Sequence, residues 1–164
     1  MNKLFILLAA LLLACTTFAQ RWHCGSPNAQ DVTATLDGAT FTISGAGAMV
    51  NYDGSSAPWS DSVAAIEKVV ISEGVTNIGN WSFFSCHNLT SVAIPGSVTS
   101  IGDMAFYDCI ALASFEVSAN NTVYDSKDGV LVDKTKTTRK ARWKASLNYV
   151  RTCFVMLCKR IAGL

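Results

Sequence analysis

Apolar and polar residues alternate in short bursts along most of the chain. Val69 and Ile71, and again Val92 and Ile94, follow the period of two that sends both side chains to one face of a strand. Each burst ends at turn residues, Glu73-Gly74 in one case and Pro95-Gly96 in the next, which break pairing and allow a tight bend. Val75 and Ile78 then return inward, Gly79 permits another bend, and Trp81 with Phe83, or Met104 with Phe106, covers the far wall. Upstream, Val32, Ala34 and Leu36 alternate with threonines, as do Phe41 and Ile43, around Asp37-Gly38, the signal of a β-hairpin.

Two of these bursts are copies of one another. At an offset of 23 the pairs Val69/Val92, Ile71/Ile94, Val75/Val98, Thr76/Thr99, Ile78/Ile101, Gly79/Gly102, Phe83/Phe106 and Cys86/Cys109 are identical. That is eight matches in 23 pairs, where chance gives about one or two. A third copy starts at Leu112, with Phe115 and Val117 in the places of Val92 and Ile94, and then degenerates. One such coil cannot bury its apolar side alone, whereas stacked coils cover each other and form a parallel ladder of short strands. The hairpin before them is placed to cover the open edge of the first coil.

The units Leu89-Thr90-Ser91-Val92-Ala93-Ile94-Pro95, Val98-Thr99-Ser100-Ile101-Gly102 and Ala105-Phe106-Tyr107-Asp108-Cys109 resemble the 23-residue leucine-rich repeats of bacterial surface antigen A-like (BspA-like) proteins. Cys24-Gly25, Thr40-Phe41-Thr42-Ile43-Ser44-Gly45, Met49 and Pro58-Trp59 resemble the segment that commonly precedes such repeats. The resemblance implies a β-rich leucine-rich-repeat solenoid, a short parallel strand ladder of 23-residue coils with an N-terminal β-hairpin cap. It also implies adhesion or protein binding at a bacterial surface, toward host matrix proteins, neighbouring cells or their glycans.

Both ends of the chain differ from this body. Lys3 followed by the apolar run 4–13 is too short to span a membrane and reads as a signal peptide over 1–19. Thr17 and Ala19 suit cleavage before Gln20; Leu12-Leu13-Ala14-Cys15 also resembles a lipobox, so membrane attachment arises only if Cys15 is lipidated. Residues 20–65 then form the cap and 66–138 the repeats. Residues 20–138 hold 5 Lys/Arg and 12 Asp/Glu, whereas 139–164 hold 7 basic residues and no acid, so the formal net charge of +1 averages two unlike segments. The 139–164 tail is basic and atypical. An out-of-frame origin is the expectation for it, because permitted codons for Ala141-Arg142-Trp143-Lys144 read Pro-Gly-Gly-Lys in a shifted frame, and the resemblance implies a Pro-x-Gly-Lys turn at about this point. A basic membrane anchor and an authentic binding tail are the alternatives.

Chemistry is sparse. The six cysteines include no C-x-x-C pair, and Cys86, Cys109, His87, His23 and Cys24 lack recurrent metal-ligand spacing, so no metal and no cofactor is expected. Each repeat cysteine reads as a small buried hydrophobe. No nucleophile elbow, phosphate loop or dinucleotide fingerprint occurs, and Asp125 and Asp128 lie in a turn where aspartate bonds its own backbone. The chain therefore reads as no enzyme, with a secreted carbohydrate-active enzyme the least favoured alternative. The candidate binding face comprises the outward strand residues Lys68, Val70, Ser72, Ser91, Ala93, Ser114 and Glu116. Their mixed, weak charge suits protein or glycan and gives no attraction to nucleic acid. Trp59, Trp81, Phe84 and Tyr107 make a second candidate patch on the opposite wall. An extracellular or surface scaffold follows, with an inactive fragment of a larger adhesin as the alternative, because two and a half coils barely reach the three a solenoid needs.

Overall fold

The computed structural model describes residues 19–134 and, for the backbone, 142–143. The apolar run 4–13, the lipobox-like Cys15 and most of the basic tail lie outside the described residues. The strands are β1 (Gln20–His23), β2 (Gly25–Ser26), β3 (Val32–Asp37), β4 (Thr40–Gly45), β5 (Gly47–Met49), β6 (Lys68–Ile71), β7 (Val75–Ile78), β8 (Ser91–Ile94), β9 (Ser100–Ile101), β10 (Ser114–Val117), β11 (Tyr124–Lys127), β12 (Val130–Asp133) and β13 (Arg142–Trp143). A six-stranded sheet runs β1-β3-β4-β6-β8-β10, and a four-stranded sheet runs β2-β5-β7-β9. Each coil supplies one strand to the first and, except the last, one to the second.

The 23-residue offset appears directly as strand register. Lys68 pairs with Ser91, Val69 with Val92 and Val70 with Ala93, and β8 pairs with β10 in the same way from Ser91/Ser114 to Val117/Ile94. Asn77 and Ile78 pair with Ser100 and Ile101 in the second sheet. All these pairings are parallel, so each inward side chain sits on its equivalent. Phe41, Val69, Val92 and Phe115 form one buried column. Ile71, Ile94, Val75 and Val98 are buried in the same core.

The hairpin does more than cover an edge. β3 and β4 are antiparallel, as the alternation predicts, but β4 then pairs parallel with β6 and β5 with β7, so residues 40–49 act as a first coil. Its offset is 28, from Phe41 to Val69, which is why a search for 23-residue copies passes over it. The extra residues carry Trp59, fully buried, whose indole N–H donates to the Ser82 carbonyl at 2.7 Å. Phe41 and Trp59 lie 5.0 Å apart, Phe41 meets Phe83 edge to face at 5.6 Å, Phe83 stacks on Phe106 at 5.3 Å, and Phe106 meets Phe115 at 5.5 Å. An aromatic spine thus joins the cap to the last coil.

Polar side chains lace the bends of successive coils. The Glu73 carboxylate accepts from the backbone N–H of Gly96 at 2.9 Å and of Ser97 at 3.1 Å, and Asn80 Oδ1 accepts from Asp103 N–H at 2.8 Å. Trp81 and Met104, and Ser85 and Asp108, adopt left-handed φ values of 56°, 56°, 57° and 63° at equivalent places. The turn is held against its strain by inter-coil bonds such as Trp81 N–H to Asp103 O and Ser85 N–H to Tyr107 O. Gly79 and Gly102 lie where a Cβ would strike the preceding coil, Val50 O for one and Asn80 for the other.

The decayed third coil resolves into a closing hairpin. Asn121, at the place of Val75 and Val98, is buried; its amide donates to Pro95 O and Val98 O, and its Oδ1 accepts from Val123 and Tyr124 N–H. The chain then turns into β11 and β12, antiparallel across Asp128-Gly129. Phe115 N–H on the β10 edge donates to Gly129 O, and Ser126 Oγ donates to Phe115 O. Burial raises the pKa of the Tyr124 phenol, against a smaller lowering by the Ile101 backbone on the β9 edge. Part of the basic tail continues this sheet, since β13 pairs antiparallel with β12.

Two expectations follow. Phe83→Ala removes a ring at the centre of the spine and is expected to cost about 3–5 kcal/mol in denaturant unfolding, while truncating Ile110, 65% exposed, to Ala stays within about 0.5 kcal/mol. The Gly96 N–H, with help from Ser97, holds the Glu73 carboxyl below its ordinary range. Its contribution is therefore present above the unfolded carboxylate value of about 4.3 and is lost as pH falls through the lower folded value. Thermal midpoints of wild type and Glu73→Gln should differ at neutral pH and converge in acid; a constant difference across that range would contradict the assignment.

Candidate binding face

Strand alternation divides the six-stranded sheet into an inward apolar face and an outward one. On the outward side, register lines the residues up in rows crossing the strands. One row is Arg21, Thr35, Thr42, Val70, Ala93 and Glu116, each paired with the next. The adjacent row is Asp37, Thr40, Lys68, Ser91 and Ser114. Neighbours within a row sit about 4.8 Å apart, so the six strands spread over about 24 Å. Lys68 and Glu116 are exposed, and Val70, Ser72, Ser91, Ala93 and Ser114 are half-buried by their neighbours. Ser72 follows β6 and donates its N–H to Ile43 O at 2.8 Å.

All seven candidate residues therefore share one side of one sheet. Five others extend the surface: Arg21 on β1, Thr35 and Asp37 on β3, Thr40 and Thr42 on β4. The threonine alternation marks the last four as outward, but only the parallel β4 to β6 pairing makes them continuous with the coils. Nothing in Gln20-Arg21-Trp22-His23 signals a strand except single alternation; it pairs because β3 offers an open edge.

The opposite wall is partly corrected. Trp81, Phe84 and Tyr107 do cluster, with ring centroids 5.2 to 6.0 Å apart, and each is half-buried. Trp59 does not belong with them; it is fully buried in the spine, because residues 50–65 fold inward across the first coil. Beside the cluster a shallow recess is lined by Ser55, Ser60, Val63, Trp81, Phe84 and Ser85 among others. It offers hydroxyls and rings for contact.

Ser85, His87 and Asp108, which the sequence does not link, meet at the coil bends. Asp108 Oδ2 accepts from Ser85 Oγ at 3.2 Å and lies 2.8 Å from His87 Nε2, with His87 exposed and Asp108 half-buried. The carboxylate stands between the other two, so the imidazole is not placed to take a proton from the serine, which is what a hydrolytic relay requires. The cluster ties one coil to the next. Cys24, Cys86 and Cys109 are buried free thiols. Burial pushes Cys24 up to about 12, and hydrogen bonding with Cys86, then burial, pushes Cys109 up further, keeping both protonated and unreactive at neutral pH. Cys109 Sγ donates to Phe83 O at 3.1 Å, a bond between coils. Among the described residues no three His, Cys, Asp or Glu side chains converge as a metal site.

This geometry has counterparts. The chain is similar to a leucine-rich repeat protein from Eubacterium ventriosum of known crystal structure, at 24% identity and a TM-score of 0.50, over 73% of this chain and 50% of that one. It thus spans half the length of that relative, and the likeness is one of fold. No curated protein matches the chain. Residues 61–130 match the profile described as a BspA type leucine rich repeat region of six copies, a stretch that starts shortly before β6 and ends at the first residue of β12. With register, bends and buried columns repeating through this stretch, residues 61–130 are similar to BspA-type leucine-rich repeats.

Proposed function

We propose that the protein is an exported, non-catalytic repeat scaffold that binds protein or glycan at the bacterial cell surface through the outward face of its six-stranded sheet. The observation that carries this reading is the register that sets Lys68, Val70, Ser91, Ala93, Ser114 and Glu116 side by side with the cap residues. Such a surface is rigid, because every strand in it is pinned from beneath by the buried columns. Rigidity lowers the entropy lost on contact, so many weak contacts add up to useful affinity. The apolar run at 4–13, with its small-residue exit, supports export, and host matrix or neighbouring-cell molecules are the partners that location offers.

The test is an array of matrix proteins and glycans probed with the full chain and with Ala93→Arg. The substitution lies in the middle of the row and points outward, so the thermal midpoint should stay within a few degrees of wild type. Binding to whichever array member captures the wild type should fall about tenfold or more. Capture that is indifferent to Ala93→Arg would move the binding site off this face.

A further inference from the structure

The charges on the outward face are arranged in a way that singles out one kind of partner. In the row Arg21, Thr35, Thr42, Val70, Ala93, Glu116, the cation stands on one outermost strand and the anion on the other. Small and apolar residues fill the space between. The next row has an anion at Asp37 on β3 and a cation at Lys68 on β6. Arg21, Asp37, Lys68 and Glu116 are all exposed, and none forms an ion pair among the described residues. A partner carrying one sign of charge would be repelled at one end of the first row and at one position of the second. A partner whose rows run in the opposite sense would be matched at both.

A second copy of the same face meets that condition. A two-fold axis parallel to the strands, lying above the outward face over the gap between β4 and β6, leaves each row facing itself reversed. It sets β1 over β10 of the second copy, β3 over β8 and β4 over β6. Arg21 then faces Glu116 of the partner subunit, and Glu116 faces the partner's Arg21. Lys68 comes over the partner's β4, one strand from the partner's Asp37. Val70 lies on the partner's Thr42 at the centre, where side chains short enough to let two sheets approach are required. Face-to-face sheets tolerate the rotation of about 30° that twist imposes.

We infer that this face self-associates, pairing two copies of the chain through reversed, charge-complementary rows. The inference rests on the outward face being a binding surface and adds the identity of one partner. Six strands at about 4.8 Å by four residues at about 3.3 Å present roughly 300–400 Å² per copy, below the ~800 Å² of a stable complex. The dimer is therefore weak in solution and depends on local crowding of copies, with an association that salt screens.

Sedimentation velocity of the full chain, at concentrations up to about 1 mM in low and in high salt, tests it. The expected result is a monomer-dimer equilibrium that weakens in high salt. Arg21→Glu alone and Glu116→Arg alone should each weaken it about tenfold or more. An equimolar mixture of the two variants should restore it, since each then supplies the charge the other lost; so should Arg21→Glu combined with Glu116→Arg in one chain. The restoring mixture also excludes misfolding of either variant as the cause of the loss. A wild type that stays monomeric throughout, or dimers indifferent to both single reversals, or single variants whose mixture stays monomeric, would overturn the inference. Capture of an array member through Ala93 by a strictly monomeric protein would overturn self-pairing while leaving the binding scaffold intact.

Discussion

Everything in this molecule follows from the requirement that a coil too small to bury its own apolar side be covered by a copy of itself. Parallel pairing at a constant offset meets that requirement only if equivalent residues are equivalent in size and polarity, because each rests on the one below. Val69 over Val92 and Ile78 over Ile101 satisfy it by identity; Phe41, Val69, Val92 and Phe115 satisfy it by apolar substitution within one column. The same rule governs polar atoms. Glu73, Asn80 and Thr90 each bond across to the neighbouring coil, so the bends repeat for the same reason the strands do.

A ladder has two ends, and both are met by hairpins used differently. The N-terminal hairpin converts an antiparallel edge into a parallel first coil, at the expense of a longer excursion that delivers Trp59 to the core. The C-terminal hairpin follows where Asn121 replaces the valine of the repeat. An amide at that position satisfies two carbonyls of the preceding coil and, with its oxygen, fixes the backbone that leaves it. Tyr124, Ser126 and Gly129 then meet β9 and β10, so the edges that could recruit another strand are blunted.

Much of this was legible because a repeat writes its register into the sequence. The 23-residue identities specify which residues stack, and alternation specifies which face outward, so the candidate binding residues fell on one surface. The features that were not legible are those with no copy to compare. β1 has four residues and weak alternation. The cap coil is offset by 28 rather than 23, which hid the contribution of Arg21, Thr35 and Thr42 to the outward face. Trp59 reads from sequence as one more aromatic of the opposite wall; its burial depends on residues 50–65 folding back, a tertiary event. Ser85, His87 and Asp108 meet across an offset that involves no shared residue type.

The result is an outward face ruled by parallel register over a buried apolar core. Its central claim is that cap, coils and closing hairpin are one cooperative unit and not a stable cap beside a loose fragment. Native-state amide hydrogen exchange measures this most directly. The account predicts that the core strand amides of β4, β6, β8 and β10 exchange only through one global opening, with equal free energies and equal denaturant dependence. Protection confined to β3 and β4, with β8 and β10 exchanging by a separate and much cheaper opening, would contradict it.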